Sequence, residues 1–250
     1  MKNWILFFIT FLTFSFRASA QFDQDHSLLN EVLKLNVEKK GHQTFVHYKK
    51  IKENPTTLMS YLKLIEEVHQ NDFNNFSKAE KLAFWINSYN AYTIKLIIDH
   101  YPIKSIKDIE SGLFRRGPWK KEFIKLLGRT LSLDDIEHGI IRKEFDEPRI
   151  HFAVNCASIG CPSLLGEAFV ASRLEQQLNA SALNFLSNND KNRIEGQVMK
   201  LSKIFKWYGD DFGKKYGSFQ NYIVKELNLP ARTYDIEYNE YDWNLNEGRN

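Results

Sequence analysis

The feature of this sequence that most constrains its fold is a long, apolar, helical segment that begins after Ser77. The stretch SKAE places Ser77 and Glu80 three positions apart. This spacing is typical of a capping box, in which each side chain binds a backbone amide at the start of a helix. The segment continues as KLAFWINSYNAYTIKLIIDH and is expected to end before Pro102, because the residue that precedes a proline disfavours helical angles. A helix that is apolar on nearly every side is predicted to lie at the centre of the fold.

Two amide side chains on this predicted helix, Asn87 and Asn90, are three positions apart and therefore share one face. A buried amide must be hydrogen-bonded. One interpretation is that both amides tie neighbouring segments to the helix. The other is that one of them lines a site and orients a catalytic imidazole, and the sequence leaves both open.

The remaining segments predict a helix-rich α+β fold in a single domain with a small antiparallel sheet. The segment RIHFAVNC after Pro148 is predicted to be a strand, because Ile150, Phe152 and Val154 alternate with less apolar residues. Ser132 and Asp135 form a second capping signature before a helix. Further helices are predicted within residues 26–70, 172–188 and 218–227, a loop with two short strands over 111–132, a hairpin over 193–205, and a terminal strand after residue 232.

The first twenty residues have the organisation of a secretory signal peptide. Lys2 precedes a run of thirteen mostly apolar residues, Trp4 to Phe16, and the stretch closes on Ala18-Ser19-Ala20. The run is too short to cross a bilayer, which needs about 20 residues. We therefore predict cleavage after residue 20, a mature domain over residues 21–250, no stable membrane span after cleavage, and export to the periplasm or the outside of the cell.

The overall charge excludes some classes of partner. The 250 residues carry a formal net charge of +3, which does not predict binding to nucleic acid. No glycine-rich phosphate-binding loop is present in the sequence. We predict no cofactor, and expect an unidentified small-molecule or peptide substrate if the protein is an enzyme.

The two cysteines of the chain, Cys156 and Cys161, are five positions apart in RIHFAVNCASIGCPSLL. The first interpretation is a thiol enzyme. A cysteine attacks as the thiolate, which needs a nearby base and a group that orients that base. The available bases are His138 and His151. The available orienting groups are Asn87, Asn90 and Asp135.

Within this interpretation Cys156 is the better nucleophile, because small residues follow it and would let backbone amides approach a developing oxyanion. In a straight strand, side chains five positions apart point to opposite faces, which separates His151 from Cys156. We therefore predict Cys156, His138 and Asn87 as the catalytic residues of an acyl-transfer reaction on an amide, peptide or ester. Other candidates for lining the site are Asn90, His151, Asn155, Cys161, Asp135 and Arg142.

The second interpretation is a disulfide between Cys156 and Cys161, which is the default in an exported protein. A loop this short could bring the Cα atoms within the roughly 4.4–6.8 Å that a bridge requires. The protein would then be a non-catalytic binding module. A third interpretation is a zinc site with His138 and His151, but the spacings match no recognisable zinc motif, so we predict no metal. The first two interpretations remain open.

Two further groups of residues are predicted to have structural roles. Trp207, Tyr208 and Trp243 are predicted to be core residues, because aromatic side chains dominate cores. Asp210 and Asp211 are predicted to form a turn or a helix cap.

Five segments together resemble the domain of unknown function DUF547: AFWINSYNAYTIKLII, LSLDDIEHGIIR, DEPRIHFAVNCASIGCPSL, LSKIFKWYGDDF and YDWNLN. The family occurs in exported or membrane-linked bacterial proteins and, fused to other modules, in plants. The resemblance implies a shared fold and no established reaction. It also implies a relation to papain-like or transglutaminase-like thiol enzymes, with a circular permutation, because the order here would be Asn, His, Cys. The family pattern includes the residues that match Asn87, His138, His151, Cys156 and Cys161.

Overall fold

The central element of the fold is the long helix α5, Lys78–His100. The protein is described by a computed structural model over residues 22–109 and 117–248. The predicted signal peptide, the start of the mature domain at Gln21 and the loop residues 111–116 lie outside the described residues. Ser77 and Glu80 form the predicted capping box, with each side chain accepting from the other residue's amide. Every residue from 82 to 94 is buried, which confirms the predicted central helix.

Shorter helices surround α5 and make up most of the remaining regular structure in the described residues. None of the helices in residues 22–109 and 117–248 combines the length and apolar character that crossing a membrane requires. The other α-helices are α1 (Ser27–Asn36), α2 (Tyr48–Glu53), α3 (Thr56–Glu66), α4 (Gln70–Asn74), α6 (Arg142–Glu144), α7 (Leu174–Leu186), α8 (Lys203–Tyr216) and α9 (Phe219–Glu226). A π-helix spans Asp135–Ile141, and 3₁₀ helices span Ile106–Asp108, Pro118–Lys120, Pro148–Phe152 and Ala171–Arg173.

The strands form three small sheets in the described part of the chain. The strands are β1 (Val37–Lys40), β2 (Gln43–Val46), β3 (Ile124–Leu126), β4 (Arg129–Leu131), β5 (Arg193–Glu195), β6 (Val198–Leu201) and β7 (Asp235–Tyr238). β1–β2 and β3–β4 are antiparallel hairpins, and β6 pairs antiparallel with β5 but parallel with β7. The predicted α+β class with small antiparallel sheet structure is confirmed, and the third sheet is mixed because β7 pairs parallel with β6.

Two apolar clusters meet near the cysteine segment. The larger cluster surrounds α5 and includes Ile150 and Val154. The smaller one is rich in aromatic rings from α7, α8 and α9, and it includes Phe152, against which Phe185 and Phe212 pack. The segment that leads to Cys156 therefore buries side chains in both clusters.

The predicted strand over RIHFAVNC is wrong, because Pro148–Phe152 forms a 3₁₀ helix. Proline is favoured at the first helical position, and the Glu147 side chain caps this helix by accepting from the Arg149 amide at 3.1 Å. The alternating apolar residues reflect burial in two clusters rather than the two faces of a strand. The argument that placed His151 and Cys156 on opposite faces therefore no longer applies.

The close packing of the cysteine loop against the C-terminal segment predicts a cost for a side chain at Gly160. A Cβ atom there would lie 2.9 Å from the Asp242 carbonyl oxygen and 2.9 Å from the Tyr241 ring. We expect Gly160→Ala to lower the free energy of unfolding by about 1–3 kcal/mol, as overpacking does, measured by urea denaturation. Gly166→Ala is the matched control, because nothing lies within 4 Å of that position. Equal stability of the two variants would contradict the packing described here.

Candidate active site

The loop from Cys156 to Cys161 is held in place by backbone hydrogen bonds to the C-terminal segment. The Ile159 amide donates to the Asn244 carbonyl at 2.8 Å, and the Gly160 amide donates to the Asp242 carbonyl at 2.7 Å. Ala157 has a φ of 60°, a left-handed conformation that is uncommon for a residue with a side chain. The chain therefore reverses directly after Cys156, in a loop whose position is fixed by long-range contacts.

Buried asparagines fix the base of this loop. The Asn90 amide nitrogen donates to the Ala153 carbonyl at 2.9 Å, and its oxygen accepts from the Asn155 amide at 2.9 Å. Asn155 in turn donates to the Pro162 carbonyl and accepts from the Ala157 amide. Asn90 and Asn155 therefore position the cysteine segment through its backbone.

Asn87 has a different partner from the one the catalytic hypothesis gave it. Its amide nitrogen donates to the Phe169 carbonyl at 2.7 Å, and its oxygen accepts from the Phe169 amide at 2.9 Å. Both ends of the side chain are thus engaged with backbone, which matches the structural interpretation. Asp135 also has a structural partner, since its carboxylate accepts from the amide and hydroxyl of Ser132.

The sulfur of Cys156 is surrounded by groups that can donate to a thiolate. It lies 2.8 Å from the Cys161 sulfur, 3.2 Å from the Tyr241 hydroxyl and 3.3 Å from the Ser158 hydroxyl. The hydrogen bond with Cys161, together with those from Ser158 and Tyr241, lowers the pKa of Cys156 from 9.0 to about 7, against the opposing effect of burial. These hydrogen bonds therefore favour the thiolate form of Cys156.

Cys161 is the protonated partner of this pair. Its side chain is 3% exposed, and burial together with the neighbouring Cys156 raises its pKa well above the ordinary value. Its sulfur also accepts from the Cys156 amide at 2.9 Å. The two sulfurs are close but not bonded, and both cysteines are free thiols.

Cys156 opens onto a cavity of about 340 Å³. Trp207, Tyr208 and Trp243, predicted to be core residues, instead line this cavity, and Trp207 is 43% exposed. The Trp207, Tyr241 and Trp243 rings contact each other with centroids 4.5–5.9 Å apart. The polar residues that line the cavity with Cys156 and Cys161 are Lys120, Asp134, Glu137, His138 and His151.

His138 lies in the π-helix, and its hydrogen-bond partner fixes its tautomer. The Arg142 guanidinium lies 3.1 Å from Nδ1 of His138. Arginine can only donate, so Nδ1 must accept, and in the neutral ring the proton sits on Nε2. Asp134 Oδ1 lies 3.7 Å from Nε2, beyond hydrogen-bond distance. His138 is therefore arranged to donate from Nε2 rather than to accept a proton there.

His151 has the opposite arrangement. Its Nε2 lies 2.9 Å from Asp211 Oδ2, and a carboxylate accepts the imidazole proton, so the lone pair of the neutral ring is on Nδ1. Nδ1 has no hydrogen-bond partner among the described residues, although Glu137 Oε1 lies 3.8 Å away. Burial lowers the pKa of His151, which keeps the ring neutral at pH 7. The Tyr208 ring stacks on it with centroids 3.9 Å apart.

The carboxylate of Asp211 is held ionised. Burial opposes its ionisation, but hydrogen bonds from His151 and Arg142 lower its pKa well below the ordinary range. Arg142 Nε donates to Asp211 Oδ2 at 2.6 Å. The predicted turn or cap at Asp210 and Asp211 is wrong, because both residues lie inside α8. This places Asp211 on the helix face that meets His151.

The structure thus brings together some of the predicted site residues and separates others. Cys156, Cys161, His138 and His151 line one cavity, and Arg142 contacts His138. Among the described residues, the hydrogen-bonding partners of the Cys156 sulfur are Cys161, Ser158 and Tyr241, and neither imidazole is one of them. Residues that the cavity lining does not include are Asn87, Asn90, Asp135 and Asn155. Within the described ranges, no group of three or more His, Cys, Asp or Glu residues is arranged to hold a metal ion.

The backbone amides that follow Cys156 were expected to stabilise an oxyanion, but most of them are already hydrogen-bonded within the protein. The amides of residues 156, 157, 159, 160 and 161 all donate within the protein. These five amides are therefore not free to stabilise an oxyanion, and a side chain that lines the cavity is an alternative source of a donor.

Comparison with known proteins supports the family resemblance over part of the chain. Residues 73–186 match the model of the family described as "Protein of unknown function, DUF547". This match confirms the predicted resemblance to the DUF547 domain family over these residues. The first three of the five quoted segments lie inside the match, and the last two lie C-terminal to it. No curated protein and no solved structure matches the chain.

Several residues of the site were missed from the sequence. Glu137 is buried beside His151 and hydrogen bonds with Tyr208. A carboxylate next to His138, between Ile136 and Ile140, was a usable signal. Tyr241 and Asp211 gave no such signal, because they reach the site through contacts between residues 60 or more positions apart in the chain.

The hydrogen bond from Tyr241 predicts the reactivity of Cys156. Removing it in Tyr241→Phe is expected to raise the pKa of Cys156 by about one unit, since a hydrogen bond to a charged group contributes about 1.5 kcal/mol. The thiolate fraction at pH 7, and with it the rate of alkylation by iodoacetamide in reduced protein, should fall about fivefold. Tyr238→Phe is the control, because Tyr238 lies in β7 and is not among the hydrogen-bond partners of the Cys156 sulfur. An unchanged rate in Tyr241→Phe would show that the hydroxyl does not stabilise the thiolate.

Proposed function

We propose that this protein is a cysteine-dependent acyl-transfer enzyme, in which Cys156 attacks the carbonyl of an amide, peptide or ester. The observation that carries the proposal is the setting of the Cys156 sulfur. It lies in the wall of an open cavity with three donors around it, and the imidazole of His151 in the same wall has an unused acceptor nitrogen. A nucleophile, a base and a group that orients the base are the parts such chemistry needs.

His151 is the better candidate for the base. Asp211 holds its Nε2 proton and leaves the Nδ1 lone pair unused, the same division of roles that an Asp–His pair has in other nucleophilic enzymes. When Nδ1 takes a proton, the positive ring lies between the carboxylates of Asp211 and Glu137. Both charges favour the imidazolium. No hydrogen bond joins Nδ1 to the sulfur and Nδ1 is buried, so proton transfer requires a movement that brings the imidazole and the thiol together.

His138 retains a catalytic role in this proposal, as a donor. Arg142 holds Nδ1, so the Nε2 proton is available to the carbonyl oxygen on which negative charge develops. This role suits a loop in which the amides of residues 156, 157, 159, 160 and 161 are engaged elsewhere. Asn87 is not part of the proposed machinery, since its amide binds Phe169.

The walls of the cavity favour an acyl group with an apolar or planar part. Tyr89, Trp207, Tyr241 and Trp243 present ring surface to the space in front of Cys156. Ring faces bind apolar and planar groups through contact area and stacking. A substrate whose acyl part is small and strongly charged would leave this surface uncovered.

Export is also part of the proposal. It is supported by the signal-peptide features of residues 1–20. An exported thiol enzyme requires Cys156 to be reduced, so its activity is expected to depend on added thiol.

Acylation of the reduced full chain by p-nitrophenyl acetate tests the proposal. We expect an acetyl thioester on Cys156, seen by mass spectrometry after acid quench, and none in Cys156→Ser. His151→Asn should slow acylation about a hundredfold, within the range that general bases contribute, and His138→Asn should also slow it. His69→Asn is the matched control, because this histidine is exposed and makes no side-chain capping bond. Acylation that persists in Cys156→Ser, or is absent from reduced wild type, would favour a non-catalytic binding module instead.

A further inference from the structure

The two thiols are close enough for a bond to form between them with little movement. Their sulfurs lie 2.8 Å apart, and a disulfide requires about 2.05 Å. An approach of less than about 1 Å would therefore suffice. The Cys156 amide already donates to the Cys161 sulfur, which holds that sulfur on the side where Cys156 lies.

The pair is also asymmetric. Cys156 is half-buried and has the lowered pKa, while Cys161 is 3% exposed and has the raised one. Lys191, which is buried and donates to the Cys161 carbonyl, and Lys107 both interact electrostatically with Cys156. An ionised, accessible thiol beside a protonated neighbour is the arrangement in which one cysteine reacts with an oxidant and the other resolves the product.

We propose that Cys156 and Cys161 form a reversible redox pair that reduces a hydroperoxide, with Cys156 attacking the peroxide and Cys161 resolving the sulfenic acid. This activity is independent of acyl transfer. It needs only the two thiols and a substrate as small as hydrogen peroxide, which fits the cavity.

The chemistry balances in two steps. The Cys156 thiolate attacks one peroxide oxygen, so that an S–O bond forms, the O–O bond breaks, and the leaving alkoxide or hydroxide takes a proton from water. Cys161 sulfur then attacks the Cys156 sulfur, so that the S–S bond forms, the S–O bond breaks, and the hydroxide leaves as water with the Cys161 proton. The two thiols lose two electrons, the peroxide gains them, and a small dithiol restores the pair by exchange.

Oxidation of Cys156 in the first step favours ionisation of Cys161 in the second step. The negative charge on Cys156 is one cause of the high pKa of Cys161. A sulfenic acid is neutral, so this cause disappears once Cys156 has reacted. Cys161 is then easier to ionise, and it already lies next to the sulfur that it must attack.

Oxidation of the redox pair would also inactivate the proposed acyl-transfer reaction. A Cys156–Cys161 disulfide would remove the nucleophile, and a thiol would return it. The fold would thus carry an enzyme that is active only when reduced.

The test is the reaction of the reduced full chain with one molar equivalent of hydrogen peroxide. We expect wild type to lose both free thiols and two hydrogen atoms in mass, with a Cys156–Cys161 peptide on mapping and full recovery in dithiothreitol. Cys161→Ser should instead gain one oxygen on Cys156, trapped by dimedone. Cys156→Ser is the matched control and should leave Cys161 unreacted.

Three results would overturn the proposal. These are sulfinic or sulfonic acid on Cys156 of wild type without a disulfide, no loss of thiols in wild type, and equally fast oxidation of Cys161 in Cys156→Ser. The readouts are mass and thiol count, so they do not depend on acylation. A wild type that forms the disulfide but is never acetylated would retain the redox pair and lose the acyl-transfer function, and the reverse result would retain only acyl transfer.

Discussion

The arrangement of the site depends on one buried amide, that of Asn90 in the central helix. Its nitrogen and oxygen bind the backbone on both sides of residue 154, through the Ala153 carbonyl and the Asn155 amide. Asn155 then fixes the far end of the cysteine loop through Pro162. The central helix therefore fixes the position of the cysteine segment through Asn90. An unpaired amide at this depth would cost about 1–3 kcal/mol, so the segment is held strongly in register.

Around this loop, two histidines have opposite hydrogen-bonding arrangements. Nδ1 of His138 accepts from Arg142, whereas Nε2 of His151 donates to Asp211. Arg142 contacts both sides of the arrangement, since it donates to Asp211 through Nε and to His138 through Nη1. It thereby holds an acceptor nitrogen on His138 and helps to keep the Asp211 carboxylate ionised. Asp211 in turn leaves His151 with an open acceptor nitrogen. A single guanidinium therefore sets one ring as a donor and, through a carboxylate, the other as an acceptor.

The sequence was sufficient for the parts of the fold that local interactions decide. The capping box at Ser77 and the burial of the following helix could both be predicted, because each depends on residues near one another in the chain. The conformation of residues 148–152 could not, because alternating apolar residues are also produced by a 3₁₀ helix between two cores. The presence of Asp211 and Tyr241 in the site could not be predicted either, because they contact residues 60 and 85 positions away in the chain. The tautomers of the histidines depend on those same distant partners.

The central claim is that folding stabilises the thiolate of Cys156 within an open, aromatic cavity. The most direct test is a titration of thiolate absorbance near 240 nm in the reduced full chain, with Cys156→Ser as the blank. The folded-state pKa lies below the ordinary value, so the midpoint of ionisation should lie at about pH 7. A midpoint near the ordinary value of 9.0, or no titration before the protein unfolds, would contradict the account.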